Sequence, residues 1–202
     1  MHEKKHDKRL NIKTTGIREW RDGVTQYNRC EATPYIALEA LFNQYRFNKE
    51  DQVVDFGSGR GRVAFYIHNR FHIPVTGIEM NDITLEEAKQ NKVNYRHRAK
   101  HIKAPIRFKF GLAEQYEIKP WENKFYFFNP FSSKIFKKIV RNILDSLEHH
   151  ERDMDIILYY PIPKYKKFLN TKTPFKLINK IGKPRTRDKN KKFLIYRSRI
   201  ST

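Results

Sequence analysis

Apolar positions along this chain repeat in two alternating periods, and the alternation itself predicts a fold class. Ile36, Leu38, Leu41, Phe42 and Tyr45 recur at helical spacing, which predicts an amphipathic helix over 34–46. Thr33 is the expected N-cap of that helix, and Pro34 stands at its first position. A short apolar strand, 52–56, then runs into glycines and a helix that ends near Phe71. Residues 75–79 read as a second strand, 82–99 as a polar amphipathic helix, and 106–110 as a third strand. Phe125 to Phe128 is a fully apolar strand, Ile135, Ile139, Ile143, Leu144 and Leu147 mark another helix, and 155–160 is a fifth strand. The runs 174–181 and 191–199 flank a basic loop containing Gly and Pro, as a hairpin would. Strand–helix alternation implies an α/β fold whose mostly parallel sheet carries helices on both faces. The terminal hairpin adds an antiparallel strand and brings the count to seven. Residues 1–16 are polar and predict a poorly ordered or adaptable arm. The expected organisation is an N-terminal arm or lid over 1–33 and a single domain over 34–202.

Composition narrows the picture. The 202 residues suffice for one domain with a sizeable core, and the 15 Phe and 11 Tyr supply bulk for it. No apolar run is long enough for a spanning helix, and Met1 to Arg9 lacks the apolar stretch of a secretory signal. Cys30 is the single cysteine, so neither an internal disulfide nor a multi-cysteine zinc site is open to the chain. The expected compartment is therefore the reducing cytoplasm.

The net charge of +20 is unevenly distributed. Residues 161–202 hold fourteen Lys and Arg against one acid, Asp188, a local +13. Such a field concentrates polyanions, RNA foremost, with Lys183, Arg185, Arg187, Lys191 and Lys192 as the expected phosphate contacts. AT-rich codon usage raises Lys without any partner and is the competing explanation.

The chemistry begins at Val53-Val54-Asp55-Phe56-Gly57-Ser58-Gly59-Arg60-Gly61-Arg62, a strand ending in an acid and a G-x-G-x-G turn. Glycines let the backbone turn sharply and approach a ligand with no Cβ in the way. A dinucleotide site would place a third glycine where Arg62 stands. A ligand carrying an amino-acid group suits this turn better: the acid matches its ammonium, and turn amides match its carboxylate.

Asp55, Gly57, Ser58, Gly59 and Gly61 resemble motif I of class I S-adenosylmethionine (SAM)-dependent methyltransferases. Gly77-Ile78-Glu79-Met80, 24 residues on from Asp55, is similar to their next motif. The resemblance implies a Rossmann-like fold and SAM as cofactor. It implies Glu79 on the ribose hydroxyls and Met80 packed on the adenine. Gly111-Leu112-Ala113-Glu114 corresponds to the adenine edge, with Ala113 and Glu114 as the matched positions and without the usual acid directly after the glycine.

Asn129-Pro130-Phe131 ends the fourth strand, 74 residues beyond Asp55. It is similar to the (D/N)-P-P-(Y/F) motif of enzymes that methylate planar nitrogens. Such a nitrogen is a poor nucleophile because its lone pair is delocalised. An Asn oxygen and the carbonyl before the aromatic can hold its hydrogens and stabilise the charge that grows on it. This chain has one proline where the motif has two, so an alternative is a turn with Phe131 simply in the core. Tyr27 to Tyr35 is expected to form a lid or part of the acceptor pocket, with ordinary N-terminal packing as the alternative. His68/His72 and His97/His101 are i,i+4 pairs that read as solvated helix faces, and no metal site is expected. The reading that follows is a SAM-dependent methyltransferase acting on a nucleic-acid base, RNA foremost. The alternatives are methylation of a small molecule or protein, or a non-catalytic SAM- or RNA-binding module.

Overall fold

The computed structural model describes residues 2–16, 31–128, 131–182, 188 and 190–198. Seven strands form one sheet: β1 (Val53–Phe56), β2 (Val75–Glu79), β3 (Ile106–Phe110), β4 (Lys124–Phe128), β5 (Met154–Tyr159), β6 (Lys176–Gly182) and β7 (Lys192–Ser198). Their spatial order is β3-β2-β1-β4-β5-β7-β6. The first five run parallel, while β7 runs antiparallel to both β5 and β6. The expected α/β class, mostly parallel sheet and terminal hairpin are all present.

Period-two alternation divides the strands between two cores. Val54, Phe56, Phe125, Phe127, Ile156 and Leu158 pack on one face against helices α5 (Ser133–His149) and α6 (Pro163–Lys172). Val53, Val75, Tyr126 and Ile157 face the other side, where α2 (Tyr35–Gln44), α3 (Arg62–Phe71) and Tyr95 of α4 (Asp82–Arg98) cover them. Burial of a sheet on both faces explains the near-continuous apolar strands β1, β4 and β5. Asn81 caps α4 by accepting from the Thr84 amide at 2.8 Å.

The amino end of the sheet carries a buried ionic cluster. Arg197 makes two hydrogen bonds to Asp155, at 2.6 and 2.7 Å, and Lys124 lies 3.4 Å from both Asp51 and Asp155. Burial alone would raise the pKa of Asp155, but these cations and the Tyr45 hydroxyl hold it below its ordinary value.

Three local expectations fail. Residues 2–16 are not a loose arm: His2–Leu10 form α1, packed against α2 and α3. Thr33 does not cap α2. Pro34 occupies the cap position with no side-chain bond, and the Thr33 hydroxyl pairs with Tyr126 Oη at 2.7 Å. Ile36, assigned to the buried stripe, is 43% exposed. Helix α6 was not anticipated: its stripe is only Tyr165, Phe168 and Leu169, three residues at helical spacing among lysines.

Candidate functional site

The order β3-β2-β1-β4-β5 reverses between β1 and β4, and open α/β sheets bind ligands at the carboxyl ends of strands beside such a reversal. The glycine turn sits there. Gly57, Gly59 and Gly61 have φ of +76°, +54° and +87°, a region open to glycine at little cost. The amides of Gly57 and Ser58 donate to the Ile78 carbonyl at 2.9 and 3.0 Å, which ties the turn to β2. Gly77 is required for a different reason: a Cβ there would lie 2.6 Å from Ser58 Oγ.

Two carboxylates converge beneath the turn. Glu79 accepts from the Gly59 amide at 2.9 Å through Oε2 and from the Asn81 amide at 2.8 Å through Oε1. Burial raises its pKa, and the amide bonds oppose part of that rise. Asp55 is fully enclosed, and burial together with the charge of Glu79 pushes its pKa up to about 8. Among the described residues, Asp55 Oδ2 and Ser58 Oγ are buried with no hydrogen-bond partner. A buried polar atom left unpaired costs about 1–3 kcal/mol, so both atoms are poised for a ligand.

Around these groups lies a cleft that opens to solvent at the carboxyl ends of β1 and β2. Of the predicted cofactor residues, Asp55, Gly57, Ser58, Gly59, Glu79, Met80 and Ala113 line it, as does Gly111. Gly61 is not a lining residue; it is the N-cap of α3, and a Cβ there would meet the Phe108 ring at 2.5 Å. Nor does Glu114 line the cleft: it lies in a 3₁₀ turn over Ala113–Gln115, where its carbonyl accepts from Asn142 Nδ2. At the expected reacting end, Phe131 lines the cleft beside Tyr126 and Phe128. Phe131 is also buried in the core, and its carbonyl accepts from the Tyr165 hydroxyl at 2.7 Å. Asn129 and Pro130 lie outside the described residues, as do Tyr27 to Cys30 and Lys183, Arg185 and Arg187. Lys191 is exposed and Lys192 is half-buried at the start of β7.

The N-terminal segment, expected as an arm or lid, supplies a wall of the cleft. Thr14, Gly16 and residues 31–33 all line the cleft. Arg62, the first residue of α3, is buried and donates to Thr14 Oγ1 at 2.7 Å, to the Thr33 carbonyl at 3.3 Å and to Glu3. Its guanidinium lies 4.5 Å from the centroid of the Tyr35 ring. Asp7, buried on α1, accepts from the Thr14 amide and hydroxyl and from the Tyr35 hydroxyl at 2.6–2.7 Å. Arg60 pairs with Glu87 at 2.8 Å and donates to the carbonyls of Thr15 and Gly16. The one signal in the sequence was Arg62 itself, an arginine where a dinucleotide turn would carry glycine.

His68 corrects another expectation. It is fully buried, bonded through Nδ1 to Tyr95 Oη at 2.7 Å and through Nε2 to the Ala104 carbonyl at 2.9 Å. Burial lowers its pKa to about 4, so it is a neutral core residue and not part of a solvated face.

No family model and no curated protein matches the sequence. The fold has many solved counterparts at low identity. An RNA methyltransferase from Salinibacter ruber, crystallised with S-adenosyl-L-homocysteine, aligns over 83% of this chain and 92% of its own, at TM-score 0.57 and 15% identity. An rRNA methylase from Streptococcus thermophilus aligns over 81% of this chain and 95% of its own, at TM-score 0.54 and 15% identity. Phosphoethanolamine N-methyltransferase 1 from Haemonchus contortus aligns over 83% of this chain and 43% of its own, at TM-score 0.60 and 12% identity. Similarity at this identity establishes a shared Rossmann-like α/β fold.

Proposed function

We propose that this chain is a SAM-dependent methyltransferase whose acceptor is a base nitrogen of RNA. The observation that carries the cofactor is the pair of buried carboxylates beneath the glycine turn, one held by backbone amides and one with an unpaired oxygen. A cleft whose deepest groups are acids suits a ligand with hydroxyls and an ammonium and repels a phosphate. SAM has that composition, and S-adenosyl-L-homocysteine is bound in the Salinibacter counterpart. When bound, SAM supplies a methyl group already activated by its sulfonium. On this reading Glu79 holds the ribose hydroxyls, Asp55 the ammonium, and Met80 and Ala113 flank the adenine.

The acceptor half rests on Asn129-Pro130-Phe131 and on charge. In this reading the Asn129 side chain and the Pro130 carbonyl accept hydrogens from the nitrogen, and an aromatic ring stacks on the base. Gly182 and Lys192 flank the basic hairpin loop in sequence, and they pair at the sheet edge where the parallel strands end. Of the basic residues, Lys192 thus stands near the carboxyl end of β5, the end of the parallel strands at which the cleft lies. Two of the similar structures are named as RNA-methylating enzymes, which supports the same reading.

Two measurements test it. SAM and S-adenosyl-L-homocysteine, but not NAD, should raise the melting temperature, because a ligand bound only by the folded state stabilises it. Labelled methyl from SAM should enter the RNA fraction of a host extract, and Asn129→Ala should abolish the transfer while leaving SAM binding intact. No shift with SAM would sink the whole reading. Label appearing only in metabolites or protein would overturn the RNA acceptor and leave the methyltransferase.

A further inference from the structure

Helices α1 and α2 bring together three side chains unrelated to the cleft: His2, His6 and Glu39, with one ligand atom of each within 4.8 Å of the others. His2 and His6 are one helical turn apart, so both rings project from the same face of α1. Their centroids are 4.6 Å apart. Glu39 faces them from α2, with Oε1 3.2 Å from His6 Nε2 and Oε2 3.9 Å from His2 Nε2. We propose that His2, His6 and Glu39 bind a borderline divalent transition metal, of which Zn²⁺ is the type, and that the ion pins α1 to α2.

The donor set is two imidazoles and one carboxylate, which suits Zn²⁺, Co²⁺, Ni²⁺ and Cu²⁺ better than Mg²⁺ or Ca²⁺. Tetrahedral ligands at metal bonds of about 2.0–2.1 Å stand roughly 3.3 Å from one another. His6 and Glu39 already have that separation, and His2 closes the rest by a rotamer change, free to do so because it is half exposed. The His6 ring is oriented by stacking on Tyr35, with centroids 4.6 Å apart and planes 19° from parallel. Stacking limits the rotation of the His6 ring and so the conformational entropy lost when it ligates. Glu3, the nearest other acid, is occupied by Arg62 and the Tyr35 amide, so water completes the coordination. Lys4, Lys5, Lys8 and Arg9 share α1 and oppose a dication, which makes the Glu39 charge indispensable. The consequence reaches the cleft, because the same helix carries Asp7, the residue that holds Thr14 in the cleft wall.

The test uses the full chain without any affinity tag, stripped with EDTA and titrated with Co²⁺ as a spectroscopic probe. One equivalent should bind saturably with a visible ligand-field spectrum, and Zn²⁺ should displace it. Zn²⁺ should also slow proteolysis within residues 2–16. His2→Gln and Glu39→Gln alter half-exposed side chains and preserve the fold. Each should weaken binding by more than the roughly 10–100-fold typical of losing an outer-shell partner. His72→Gln, at the separate His72–His101 ring contact, should leave binding unchanged. Absence of saturable one-to-one binding, or binding that survives His2→Gln and Glu39→Gln, overturns the site.

Discussion

Asp55 shows how a single residue ties stability to ligand binding. Its pKa lies near 8 in the fold against 3.8 for the free group, because it is enclosed and faces Glu79. The folded state therefore holds a proton there that the unfolded chain has released. Between about pH 4 and pH 8 this linkage makes stability fall as pH rises, by up to roughly 6 kcal/mol in the limit of full ionisation. Asp55→Asn keeps the neutral shape and removes the titration. The ligand-free variant should melt higher than the parent at pH 8, at about 2–4 °C per kcal/mol, with little difference at pH 4. It should also lose most SAM affinity, since an amide cannot pair with an ammonium as a carboxylate does. Melting curves of both proteins across that pH range, with and without SAM, check this. Parallel pH profiles would show that Asp55 is ionised in the free protein.

At the scale of elements, the docking of α1 turns on Arg62. The side chain is buried at the head of α3 and reaches Thr14, Thr33 and Glu3, three points otherwise far apart in sequence. Arg62→Met keeps much of the aliphatic stem but leaves the Thr33 carbonyl and Thr14 hydroxyl short of a donor. A loss of about 2 kcal/mol in stability is expected, discounted because Glu3 is partly exposed. The sharper signature is local: hydrogen exchange and proteolysis should accelerate in residues 2–16 while β1 and β4 stay protected. Uniform loosening of the whole sheet would mean that α1 and the core unfold as one unit. This part of the structure was illegible beforehand because its partners are 29 to 59 residues apart and none sits in a periodic pattern.

For the whole molecule the governing quantity is charge. A net +20 with +13 in residues 161–202 should give RNA binding that weakens steeply with salt. Each phosphate contact on a single strand adds about −0.7 to the slope of log affinity against log salt. Replacing Lys183, Arg185, Arg187, Lys191 and Lys192 by Gln should therefore flatten the slope by up to about 3.5 and weaken binding at low salt. An unchanged slope would assign the lysines to composition and not to a partner. Among the described residues no helix is long and apolar enough to cross a membrane.

Local periodicity alone determined much of this protein. The near-continuous apolar runs of β1, β4 and β5, the helical stripes of α2 and α5, and the glycines after Asp55 each follow from neighbours in the chain. So the α/β class, the mostly parallel sheet, the terminal hairpin and the site's position after β1 and β2 were all readable. Tertiary structure decided what depends on partners remote in sequence. It buried His68 between Tyr95 and Ala104, turned the hydroxyl of Thr33 to Tyr126, and left Glu114 out of the cleft that Ala113 lines. It also folded His2–Leu10, in a stretch that reads as a poorly ordered or adaptable arm, into a helix, brought Thr14 and Gly16 to the wall of that cleft, and set Glu39 beside His2 and His6. Spacing along a chain encodes which face a residue occupies, whereas the identity of the group opposite is fixed only when the layers close.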